Sequence, residues 1–98
     1  MMKNSVMSEE AAGILAIKAL GYLAGQEDLL QVFLNTTGLA AESLKERLDD
    51  PDLQAAVLDF LLMDDAWVLG FADAHRIAAE HVAAARAALP GGDLPHWT

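Results

Sequence analysis

The chain has 98 residues, no cysteine, and a net charge of −9 from six Lys and Arg against fifteen Asp and Glu. That length builds one core rather than two, and the missing cysteines exclude a disulfide framework or a thiolate metal site. The acidity works against nucleic acid and anionic membrane surfaces, which both require clustered Lys and Arg. It suits solubility and attraction to a basic protein partner. Apolar residues make up 54%, drawn mainly from Ala and Leu, and so favour helix over strand. The expected fold class is all-α. Absence of cysteine suits a reducing cytoplasm, the expected location.

In chain order, residues 1–7 read as a flexible leader. Ser8 is placed to cap a first helix, with Glu9 and Glu10 at its positive end. That helix is expected to reach Ala24 and to stop at Gly25. Its apolar residues cover most of its circumference, which predicts a central helix with neighbours on several sides. Gly21 in its interior predicts close approach by another helix. The apolar stretch Ala11–Ala24 contains Lys18 and follows Glu9-Glu10 instead of a basic leader. It is too short to span a bilayer and wrongly flanked for a signal peptide.

A second helix is expected over Glu27–Thr36, closed by Thr37-Gly38-Leu39, and a short third over Ala41–Leu48. Asp50 and Pro51 then suit the N-cap and first position of a fourth helix reaching Met63. Asp64 is placed to cap a fifth over Asp65–Ala74, carrying Trp67, Val68 and Phe71 inward. After a turn at His75-Arg76-Ile77, a sixth runs from Ala78 to Leu89. Pro90-Gly91-Gly92 ends it and residues 90–98 form a flexible tail. The expected domain is therefore 8–89.

Across these elements the sequence weakly repeats itself. Aligning Ala19–Leu48 with Val57–Arg86 without gaps gives six identities: Leu20 with Leu58, Leu23 with Leu61, Phe33 with Phe71, and Ala40-Ala41-Glu42 with Ala78-Ala79-Glu80. Tyr22 pairs with Phe60 and Leu39 with Ile77. Because turns and bulky residues recur together, two similar three-helix units in tandem are expected, about 8–48 and 50–89. The repeated positions are core and corner residues, so function is expected in the mismatches: Thr37-Gly38 against His75-Arg76, and Lys45–Arg47 against Ala83–Ala85.

The stretch Pro51-Asp52-Leu53…Ala56-Val57-Leu58-Asp59-Phe60-Leu61-Leu62, together with Phe33-Leu34…Thr37-Gly38-Leu39, resembles a small all-helical alphaproteobacterial family, a domain of unknown function. The resemblance covers about Leu20–Leu89. It implies an all-helical bacterial protein and transfers no functional residues. Where that family commonly has Pro near the start of its last helix, this chain has Ala78.

No constellation carries chemistry clearly. Asp49, Asp50 and Asp52 lack the spacing and the glycine of a calcium loop and are read as capping. His75 and His81 do not share one helical face, so no zinc site is expected. Ser5, Ser8 and Ser43 lack any nucleophile motif, and Gly91-Gly92 follows no strand. No catalytic residue, metal or cofactor is assigned. Leu30–Leu48 has the outline of a helix-turn-helix, with Lys45 and Arg47 on its second helix. Against it, Glu42 and Glu46 share that helix, and two Thr precede Gly38 where an apolar residue would pack better. Leu94 and Trp97, beside Pro95, are candidate partner anchors. The leading expectation is a small cytoplasmic protein-interaction or adaptor domain without catalytic activity, engaging an unknown protein partner or a second copy as a homodimer. The alternative is a nucleic-acid-binding regulator using Lys45 and Arg47, disfavoured by charge.

Overall fold

The computed structural model describes residues 7–90. Among them are six helices and no strand: α1 (Glu9–Gly25), α2 (Glu27–Thr37), α3 (Ala41–Glu46), α4 (Pro51–Leu61), α5 (Asp65–His75) and α6 (Glu80–Ala88). Three of the starts are fixed by side-chain caps. Ser8 Oγ accepts from the Ala11 N–H at 3.0 Å, Asp50 Oδ1 from Asp52 at 2.9 Å, and Asp64 Oδ1 from Ala66 at 2.8 Å. Each satisfies a backbone donor that the first turn leaves without a partner.

Helix α1 is the centre of the molecule, packed against α2, α4 and α6, while α6 also lies on α4. The reason is in its sequence: Ala12, Ala16, Ala19, Leu20 and Leu23 are all buried, and the small alanines let neighbours approach closely. Phe33 and Phe71 are fully buried, as are Leu58 and Leu61. Burying each such side chain contributes about 1.5–3 kcal/mol. No polar or charged residue is buried among the described residues, so the polar chemistry of this region lies at its surface.

Two left-handed residues turn the chain, Gly38 (φ 77°) and Arg76 (φ 57°), and they are equivalent positions of the sequence repeat. The bounds of α2 and α5 are related by the same offset, Glu27–Thr37 against Asp65–His75. Aromatic contacts cross between the halves in that register. Tyr22 meets Phe71 with ring centroids 5.7 Å apart, and their repeat equivalents, Phe60 and Phe33, meet at 5.4 Å.

Several local expectations change. Gly25 is the last residue of α1 rather than its stop; the break falls at Gln26 (φ −111°, ψ 89°), whose N–H bonds to the Leu23 carbonyl. A non-glycine break suffices because the chain kinks there directly into α2 without a left-handed residue. Helix α3 ends at Glu46, leaving Arg47 as its C-cap and Leu48 beyond it. Helix α4 ends at Leu61, and the corner that follows leaves Leu62 and Met63 outside the core, Met63 67% exposed. Trp67 is half-buried, stacked on Phe60 at 4.6 Å, and α6 begins at Glu80 instead of Ala78. Met7, assigned to the leader, packs half-buried against the core.

Candidate functional site

Gly21 marks no helix contact. A β-carbon placed on it meets nothing within 4 Å, because it opens on a cleft of about 350 Å³ between α1, α2 and α3. Leu20, Gly21 and Ala24 of α1 form one side; Leu30 of α2 and Leu44 of α3 form the others. Ile17 and Leu48 stand at the edge, 39% and 36% exposed, and among the described residues Lys45 is the one charged residue in the lining.

The α3–α4 link, which carries Leu48 at the edge of the cleft, is held by side-chain hydrogen bonds. The Arg47 guanidinium donates from Nε (3.1 Å) and Nη2 (2.8 Å) to Asp50 Oδ2. Asp50 is the N-cap of α4, so this fork joins the end of one helix directly to the start of the next. The Arg47 hydrogen bonds, then the Asp52 N–H, hold the Asp50 carboxyl below its ordinary value. Gln54 Nε2 donates to the Leu48 carbonyl at 2.9 Å and so fixes the backbone that carries Leu48. Helix α3 is only six residues long and lines the cleft with Ala41, Leu44 and Lys45.

The equivalent positions of the second half read differently. Gly21 corresponds to Asp59 and Leu48 to Arg86, and these two are joined: Arg86 Nε donates to Asp59 Oδ1 at 2.6 Å, while its Nη1 donates to the Pro90 carbonyl at 3.0 Å. The second half ties α6 to α4 with an ion pair. The first half offers hydrogen and an aliphatic chain at those places, which cannot bond to each other.

On the other side of Ile17, which lines both, lies a second hollow of about 390 Å³ whose lining includes Ile14, Glu9, Glu10 and Asp49. Ile14 is 51% exposed. None of these three carboxylates has an ion-pair partner among the described residues, where the pairs are Arg47–Asp50 and Arg86–Asp59. The two hollows thus lie side by side along α1, the first lined mainly by apolar residues and the second bordered by carboxylates at the N-terminal end of the helix.

Of the residues singled out from sequence, Lys45 lines the cleft and Arg47 does not; Arg47 is engaged by Asp50. Leu94 and Trp97 lie outside the described residues. The His75 ring rests against Phe71 at 4.8 Å, and His81 is exposed on α6. Among the described residues no three His, Asp or Glu side chains gather as a metal site requires. Ile17, Gly21 and Leu48 are site residues that the sequence reading did not assign. The available signal was the mismatch of Gly21 with Asp59 and of Leu48 with Arg86 across the repeat.

Fold and surface together define a small all-α domain with an acidic exterior and an open apolar cleft beside its central helix. The chain belongs to the family described as Protein of unknown function (DUF3572), whose model matches residues 9–92. The resemblance read from the two motifs therefore holds for the family, and the all-helical fold it implied is the one observed. No curated protein and no solved structure matches the chain.

Proposed function

We propose that this chain is a small acidic protein-interaction or adaptor domain without catalytic activity, and that it engages its partner at the α1–α2–α3 cleft. The observation that carries the reading is the cleft itself: an apolar hollow bordered by exposed Ile17 and Leu48, with exposed Ile14 in the neighbouring hollow, on a molecule of net charge −9. Water-exposed apolar surface of this kind is stabilised by a covering partner at roughly 25 cal/mol per Å² buried. The cytoplasm is the proposed location, in keeping with a chain free of cysteine. Among the described residues no helix is long and apolar enough to cross a membrane. The shared register of corners and aromatic contacts supports reading the halves as two copies of one unit. A DNA-reading role for α3 gains nothing from its six residues or from an Arg47 held by Asp50.

Photo-crosslinking in the source cell tests the proposal. A photoreactive residue at position 17 or 48 is expected to give a discrete adduct that the same residue at exposed Asp73 does not. Identical adduct patterns from the cleft and from position 73 would overturn it.

A further inference from the structure

We infer that the occupant of the cleft is a basic amphipathic helix of a protein partner, seated along α1; this rests on the interaction reading above. The exposed face of α1 carries Ile14, Ile17, Gly21 and Ala24, at spacings of three, four and three. Those positions form one stripe about 15 Å long, or about three helical turns. An apolar face repeating at three and four residues matches that stripe, as in helix-in-groove recognition. Gly21 lets such a helix come close, because no side chain stands between the α1 backbone and the cleft.

The molecule already contains one contact of this kind. Helix α6 packs on α1 and α4 with its Val82 and Ala85 buried and its C-cap Leu89 buried beyond them, and its Arg86 reaches Asp59. The first half has an open cleft at the corresponding place, lined on one side by α3.

Charge decides between a partner helix and a second copy. The neighbouring hollow is bordered by Glu9, Glu10 and Asp49, free of ion pairs among the described residues, and the whole chain carries −9. Two such copies repel each other, whereas a cationic helix is attracted and oriented. Its basic end belongs at Glu9, Glu10 and Asp49, while Lys45 in the lining of the cleft disfavours a cation there.

The test uses the full chain and a fluorescein-labelled peptide of about 18 Leu and Lys residues, with Leu at alternating spacings of three and four. Controls are a scrambled peptide of the same composition and a Leu/Glu peptide of the same pattern. Anisotropy is expected to show the patterned Leu/Lys peptide binding about tenfold or more tightly than the scrambled one, with the Leu/Glu peptide weakest. The double variant Gly21→Asp, Leu48→Arg copies the Asp59–Arg86 pair into the cleft and leaves net charge unchanged. It is expected to abolish the preference for the patterned peptide, and Leu48→Gln, at an exposed site, to reduce it should the double variant fail to fold. Replacing Glu9, Glu10 and Asp49 by Gln, Gln and Asn should weaken binding and flatten its salt dependence.

Equal binding of patterned and scrambled peptides, or wild-type binding by both cleft variants, would overturn the inference. So would light scattering that shows a dimer dissociated by the cleft variants, which would assign the cleft to a second copy. A specific crosslink at position 17 or 48 with no peptide preference would leave the interaction reading standing and remove only the basic helix.

Discussion

At position 70 there is no room for a β-carbon. One built there lies 2.5 Å from Tyr22 Oη and 3.6 Å from Cζ, and the Tyr22 ring is held against Phe71. Gly21 is the opposite case, a helix-interior glycine whose β-carbon meets nothing. The two glycines therefore predict opposite signs for one substitution. In urea unfolding, Gly70→Ala is expected to destabilise by about 0.5–2 kcal/mol, because overpacking outweighs the helix propensity that alanine gains. Gly21→Ala is expected to stabilise by about 0.5–1 kcal/mol through helix propensity. Because the close atom is the phenol oxygen, Tyr22→Phe should recover most of the Gly70→Ala loss. A double variant no better than the single one would show that the ring, not its hydroxyl, fills the space.

At the scale of elements, the parts legible in sequence were those specified by local chemistry. Ser8, Asp50-Pro51 and Asp64 each start a helix by bonding the backbone a few residues on, and Gly38 ends α2 through a conformation glycine adopts freely. The cleft was not legible, because it depends on where α3 stops: the helix ends at Glu46, and a backbone turn with Arg47 paired to Asp50 leads into α4. Thr37 has a role that its polarity concealed: its Oγ1 donates to the Phe33 carbonyl and accepts from the Leu39 N–H, so it serves the corner in place of an apolar contact. The Arg47–Asp50 fork makes the stability of the α3–α4 link pH-dependent. Since the folded chain holds the Asp50 carboxyl below its unfolded value, its contribution is complete above the ordinary carboxylate range and is lost as pH falls through the depressed folded value. Asn caps helices as well as Asp, so Asp50→Asn removes the charge and keeps the cap. Denaturation at a series of pH values should show Asp50→Asn less stable than wild type at neutral pH, the gap closing as the solution is acidified. A gap that persists at low pH would assign the difference to the cap rather than to the ion pair.

For the molecule as a whole, charge and fold pull in different directions. Fifteen acidic residues face six basic ones, and the described residues hold two ion pairs, both partly exposed. Exposed pairs of this kind contribute little each, so the excess of carboxylates sets the expected sign of the electrostatics of folding, which is mutual repulsion. The radius of gyration is 13.1 Å. At about 10 mM salt the screening length is about 30 Å and every carboxylate feels the others; at about 150 mM it is about 8 Å and only neighbours interact. Raising NaCl across that range is therefore expected to increase the thermal unfolding midpoint by about 2–5 °C, corresponding to a fraction of a kcal/mol in a domain of this size. The same change should weaken binding of the Leu/Lys peptide, because attraction to Glu9, Glu10 and Asp49 is screened along with the repulsion. Opposite slopes for folding and binding are what an acidic scaffold that attracts a basic helix must give. A midpoint that falls with salt would mean that local ion pairs, and not net charge, govern this fold, and would remove the electrostatic ground for preferring a basic partner over a second copy.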